Sequence, residues 1–151
     1  MASELEQRLR SDLTAAMRDR DELTTATLRM ALTALSTEAV SGKSARELGD
    51  EEALAVVTRE AKKRREAAEA FTAAGRPELA AREQAEGEVL ARYLPAQLSD
   101  AELAELVSAA VAESGAQGPK AMGAVMKVLT PRVAGRAEGG RVAAEVRRQL
   151  S

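Results

Sequence analysis

Residues 93–103 read Tyr93-Leu94-Pro95-Ala96-Gln97-Leu98-Ser99-Asp100-Ala101-Glu102-Leu103, and this stretch divides the chain. Pro95 disfavours a helical conformation at Leu94, so a helix arriving from the N-terminal side has to end there. Ser99 and Glu102 then stand at capping-box spacing, the hydroxyl placed for the Glu102 amide and the carboxylate for the Ser99 amide. One helix closes and another opens across the proline, which puts a boundary at residues 95–98 and domains at 1–94 and 95–151.

Upstream, helical periodicity predicts four helices arranged as two hairpins. The first, from Ser3 as N-cap to about Asp19, carries Leu5, Leu9, Leu13 and Met17 as one stripe. Asp21 caps a second, whose face of Leu28, Leu32, Leu35 and Ala39 is stopped by Gly42 and followed by a polar turn to Asp50. The third begins near Asp50, favoured by Glu51 and Glu52 at its N-terminal dipole, and aligns Leu54, Val57, Ala61 and Ala68 before Gly75-Arg76-Pro77. The fourth starts at Pro77 and runs through Leu79, Val89 and Leu90 to Tyr93 and Leu94.

Downstream, three shorter helices share one small core. Leu103, Leu106, Val107, Ala110 and Val111 mark the fifth, which ends in Gly115-Ala116-Gln117-Gly118-Pro119. Met122, Val125, Met126 and Leu129 mark the sixth, interrupted by Pro131 and Gly135, and Val142, Val146 and Leu150 the seventh, from Gly139. The fold expected is all-α, a bundle of about four helices followed by a three-helix domain. Composition agrees, since the chain is 45% hydrophobic but 1% aromatic, its apolar mass being Ala, Leu and Val.

Cys and His are both absent. Thiol nucleophiles, disulfides, nearly every zinc geometry and imidazole acid–base chemistry go with them, and a Ser-His-Asp triad cannot be built. The N-terminus, MASELEQRLR, has no apolar core of a signal peptide, and no run of apolar residues is long enough to span a bilayer. A cytoplasmic protein without a membrane partner is expected.

Several motifs have plainer readings than the ones they first suggest. Ser41-Gly42-Lys43-Ser44 ends like a phosphate-binding loop, but Thr37 stands where its first glycine belongs and no strand precedes it, so it reads as a polar turn. Gly135-Arg136-Ala137-Glu138-Gly139-Gly140 lacks the dinucleotide-loop spacing and reads as a turn into the last helix. The basic run Arg59, Lys62, Lys63, Arg64 and Arg65 spreads around its helix, with Arg65 close to the apolar stripe and with Glu66 and Glu69 in reach of Lys62 and Arg65, and reads as a salt-bridged surface. Met122 and Met126 read as core, and Glu51-Glu52 as a solvated helix start and not a Mg²⁺ site. No catalytic residue, metal or cofactor is expected.

The C-terminal end differs from the rest. From Ala116 to Ser151 there are seven basic residues against two acids, a balance of +5 in a chain of net −2. Lys120 and Lys127 share the side of the sixth helix opposite its apolar stripe, and Arg141 and Arg148 share a side of the seventh. With Arg132 and Arg136 of the intervening turn these six form a candidate phosphate-contact surface for RNA. The competing reading is that such cations only complement helix C-terminal dipoles. No aromatic residue interleaves them, so single-strand readout by stacking is not expected.

Residues 93–103, together with Met122-Gly123-Ala124-Val125-Met126 and Gly135-Arg136-Ala137-Glu138-Gly139, resemble the linker and C-terminal signature of the YqeY-like family. These are free-standing relatives of the tail region of the glutamine-dependent tRNA amidotransferase B subunit. The order and spacing of seven helices match over nearly the whole chain. The resemblance implies an RNA-associated role, because the related region of the amidotransferase helps to engage the tRNA elbow. It implies as partners tRNA or structured RNA, and amidotransferase subunits or aminoacyl-tRNA machinery. The family usually has Lys where this chain has Ala124 and Asp where it has Glu138, so one phosphate contact is missing from the signature and the last helix is expected to be more weakly capped. The leading expectation is a tRNA- or structured-RNA-binding accessory protein without catalytic machinery of its own. The alternatives are a component of a carbon–nitrogen ligase with glutamine as amido-N-donor, and a helical protein–protein interaction module.

Overall fold

In the computed structural model the first, second and fifth helices begin where a side chain satisfies their free amides. Ser3 Oγ accepts the Glu6 amide at 3.1 Å, Asp21 Oδ1 the Thr24 amide at 3.0 Å and Ser99 Oγ the Glu102 amide at 3.1 Å, and Glu102 Oε1 returns a bond to the Ser99 amide at 3.0 Å. The helices that follow are α1 (Glu4–Arg18), α2 (Glu22–Ala39), α3 (Asp50–Ala73), α4 (Pro77–Ala91), α5 (Asp100–Ser114), α6 (Met122–Val133) and α7 (Gly139–Leu150). A single 3₁₀ turn, Pro119–Ala121, leads into α6. The structure describes residues 2–115 and 117–151; Ala116, part of the turn expected after α5, lies outside them. Among the described residues there is no strand, and no helix is long and apolar enough to cross a membrane. The all-α expectation holds.

The chain divides into two compact units, Met1–Leu94 and Pro95–Ser151. In the first, α1 packs on α2 and α3 on α4, and α2 also packs against α3 and α4. Leu9, Leu28, Leu35, Val57, Val89 and Leu90 are completely or almost completely buried, and Leu48 anchors the exposed α2–α3 loop in the same core. In the second unit α5 packs on α6 and α7 around Val107, Val125, Leu129, Val142 and Val146. Gly115 closes α5 in the left-handed region, φ 64°, where a Cβ would be strained.

Several positions depart from the expected stripes. Met17 is 51% exposed and Ala16 takes its place, because each four-residue step turns 40° further around a straight helix. On α3 the buried face is Ala53, Val56, Val57 and Ala68, leaving Leu54 half-buried. Leu79 is exposed, while Glu86 of α4 is buried. α2 ends at Ala39 instead of at Gly42, and α4 ends at Ala91 with Tyr93 buried in the turn beyond it. Pro131 does not interrupt α6, which continues to Val133. Its missing amide removes the bond to the Lys127 carbonyl, and burial of Val133 beyond it holds the last turn in place.

Ser99→Ala removes one half of the capping box. It is expected to lower the stability of the second unit by about 1 kcal/mol, read by thermal melting. An unchanged melting temperature would show that the box contributes nothing.

Candidate nucleic-acid interface

The segment joining the units is tied to the turn between α6 and α7. Leu98 is buried in the second unit's core, and its amide donates to the Arg136 carbonyl at 2.8 Å. Gln97 Nε2 donates to the Gly135 carbonyl at 2.8 Å, with Gly135 at φ 71°. Arg136 Nε donates back to the Ala96 carbonyl at 3.1 Å, and Arg141 Nη2 to the Leu98 carbonyl at 3.2 Å. Residues 95–98 are therefore an ordered edge of the second unit, and Arg136 is first of all the side chain that fastens them.

The six expected RNA-contact residues fall into three groups. Lys120, in the 3₁₀ turn, and Lys127, on the outer side of α6, are exposed and have no carboxylate partner among the described residues. Arg132, Arg141 and Arg148 are each paired. Arg132 grips Glu113 of α5 through both terminal nitrogens, Nη2 at 2.9 Å from Oε1. Arg141 Nη2 lies 2.8 Å from Asp100 Oδ1, and Arg148 Nε 2.7 Å from Glu145 Oε2. Arg136 forms the third group. Arg147, outside the six, is a further exposed cation with no carboxylate partner among the described residues.

The structure thus brings Arg141 and Arg148 together, as their shared helix side predicts. They line one groove of about 530 Å³ between α5 and α7, but with Asp100 and Glu145 beside them over a floor of Ala101, Ala104 and Ala144. The acids missed from sequence come largely from α5. Over the whole second unit seven bases meet six acids, so its net charge is +1 and not the +5 of the C-terminal window. The positive character is carried by the unpaired lysines and by two bare helix starts. Neither α6 nor α7 has a side-chain cap or an acid in its first turn, and Gly139 and Gly140 leave open space at the start of α7.

The pairs have an acid limit. Hydrogen bonds from Arg148, and then from Gln149, hold the Glu145 carboxyl down to about 2, and Arg132 holds Glu113 below its ordinary value of 4.5. A carboxyl lowered in the folded state contributes stability that is present above its ordinary value and lost as pH falls through the lowered one. The second unit's melting temperature is expected to hold from pH 7 to about 5 and to decline below about 4.5, with Glu145→Gln removing part of the decline. A melting temperature flat to about pH 3 would contradict this origin of acid sensitivity.

Elsewhere the basic run of α3 is salt-bridged, as expected of a solvated face. Arg59 pairs with Glu38 at 3.2 Å, Lys62 with Glu66 at 3.9 Å and Lys63 with Glu60 at 3.0 Å. The inward residue of the run is Arg64, not Arg65: Arg64 lies 3.3 Å from Glu83, whereas Arg65 is exposed.

The family profile described as Yqey-like protein matches residues 6–150, spanning all seven helices. The chain belongs to the Yqey-like family. No curated protein matches it. As a Yqey-like protein it departs from the usual signature at Ala124, exposed on the outer side of α6, and at Glu138, which precedes α7 without a side-chain capping bond. The weaker cap expected from glutamate at that position is what the structure has.

Proposed function

We propose that this Yqey-like protein is a tRNA- or structured-RNA-binding accessory protein that grips phosphates through its C-terminal unit and has no catalytic machinery of its own. The observation that carries this reading is the pair Lys120 and Lys127, exposed and without a carboxylate partner at the bare N-terminal end and outer side of α6. Phosphate is attracted both to such lysines and to the free amides of a helix start. Arg132, Arg141 and Arg148 join as a second tier, because exposed ion pairs are weak and a phosphate can replace a carboxylate on an arginine fork at little cost. Arg136 takes part from the turn while its Nε keeps the linker in place. Shape and backbone contacts, not base stacking, are what such a surface supplies.

The test is a titration against folded tRNA and against a duplex RNA of equal length at two salt concentrations. Binding should favour tRNA and weaken with salt. Lys120→Glu combined with Lys127→Glu should lower affinity at least about tenfold and reduce the salt slope by roughly two. No binding at low salt, or an unchanged affinity in the double variant, would remove this assignment.

A further inference from the structure

The first unit has a groove of its own, between α2 and α3, with a volume of about 570 Å³. Its walls are helical stripes at i, i+3, i+4 and i+7 spacing: Met30, Thr33, Ala34 and Thr37 from α2, and Val56, Arg59, Glu60 and Lys63 from α3, with Arg29 and Glu38 at the α2 rim. Such spacing makes a straight trough about two helical turns long, the footprint of one face of a helix. Its lining mixes apolar surface with hydroxyls. Thr27 and Thr58 return their hydroxyls to carbonyls one turn back, whereas the hydroxyls of Thr33 and Thr37 have no hydrogen-bond partner among the described residues.

The charges decide the occupant. Lys63 is 62% exposed but its partner Glu60 only 13%, and Arg59 is 58% exposed against 33% for Glu38. The carboxylates lie low and the cations stand above them. Arg29 adds a positive charge with no carboxylate partner among the described residues, and its Nη2 donates to Met17 Sδ at 3.9 Å. Contacts between Arg59 and Glu38 and between Arg64 and Met30 fix the register of the walls, so Lys63 and Arg29 stand towards the same end. The trough presents a cationic rim over a partly apolar lining.

We propose that this groove docks an amphipathic helix of a partner protein, seated by a narrow stripe of small apolar residues and flanked by carboxylates that meet Arg29, Lys63 and Arg59. A bare phosphate chain would leave Met30 and Ala34 unused, and a purely apolar helix would leave the cations unmatched.

The full-length protein is titrated with three synthetic helical peptides of about 14 residues, long enough to overrun the trough. One has an Ala/Leu stripe flanked by Glu, one the same stripe flanked by Lys, and one the Glu flanks with the stripe broken by Gln. The first should bind, shifting the amide resonances of Thr33 and Thr37, and the other two should bind at least about tenfold more weakly. Arg29→Glu, which breaks no ion pair, should lower affinity for the first peptide about tenfold at unchanged melting temperature. Equal binding of Glu- and Lys-flanked peptides, no binding of the first, or shifts confined to other residues would overturn the proposal. So would displacement of the peptide from Thr33 and Thr37 by duplex RNA, which would make the groove a polyanion site.

Discussion

Leu129→Ala is expected to unfold the second unit at physiological temperature while leaving the first folded. Leu129 is completely buried among Val107, Val125, Val142 and Val146. Truncating a buried leucine costs about 2–5 kcal/mol, transfer and cavity together. The unit that has to absorb this loss holds on the order of 60 residues, and a core of that size rarely supplies more than about 3–5 kcal/mol. It has no disulfide to hold it, since the chain lacks cysteine. The first unit has a larger core of its own, from Leu9 to Tyr93. In a two-dimensional amide spectrum of the variant, resonances from residues 95–151 should collapse to the random-coil region while those of residues 2–94 keep their dispersion. Loss of both sets together would show that the units fold as one, and would sink the idea.

What was legible in the sequence is what local physics decides. Ser3, Asp21 and Ser99 cap helices as read, because an N-cap acts on amides only two or three residues away. Pro95 divides the chain's local pattern for the same reason. Less legible were the positions where a neighbouring helix chooses the side chain to bury. Leu54 and Leu79 are apolar enough for a core, yet Ala53 and Ala80 take the contacts, since α3 and α4 pack closely. Pro131 failed as a breaker because the core that buries Val133 holds the turn beyond it, a tertiary contact that local pattern does not show.

The candidate interface was half legible for a related reason. Counting charge along residues 116–151 finds the cations but not the acids that reach them from outside the window. Glu113 and Asp100 come from α5, and only the fold carries them to Arg132 and Arg141. The signal available beforehand was charge counted over the whole of residues 95–151, where bases and acids nearly balance. Arg136 shows the opposite case. Its partner is a backbone carbonyl, and charge counting has no way to find it.

Glu86 carries the second large expected effect. It is 7% exposed, and every charge around it is shared. Arg82 Nε bonds Glu86 Oε1 at 3.0 Å while both terminal nitrogens of Arg82 reach Glu22 of α2 at 3.1 Å. Arg64 of α3 lies 3.6 Å from Glu86 and 3.3 Å from Glu83. Glu86 joins α4 to α3 through Arg64, and Arg82 carries the network on to Glu22 of α2. Glu86→Ala takes one of two carboxylates from the partly buried Arg64 and one of two from Arg82, opens a void, and is expected to destabilise the first unit by about 3 kcal/mol. Replacing both partners, Glu86→Leu with Arg64→Met, removes that pair but also takes from Glu83 the guanidinium 3.3 Å away, so the double variant should recover only part of the loss seen in Glu86→Ala. Denaturant unfolding of Glu86→Leu, Arg64→Met and the double variant closes a cycle. Strong non-additivity would locate the cost in the broken pair of Glu86 and Arg64. Additive losses would place it in packing of α3 against α4, and the network would be incidental to stability.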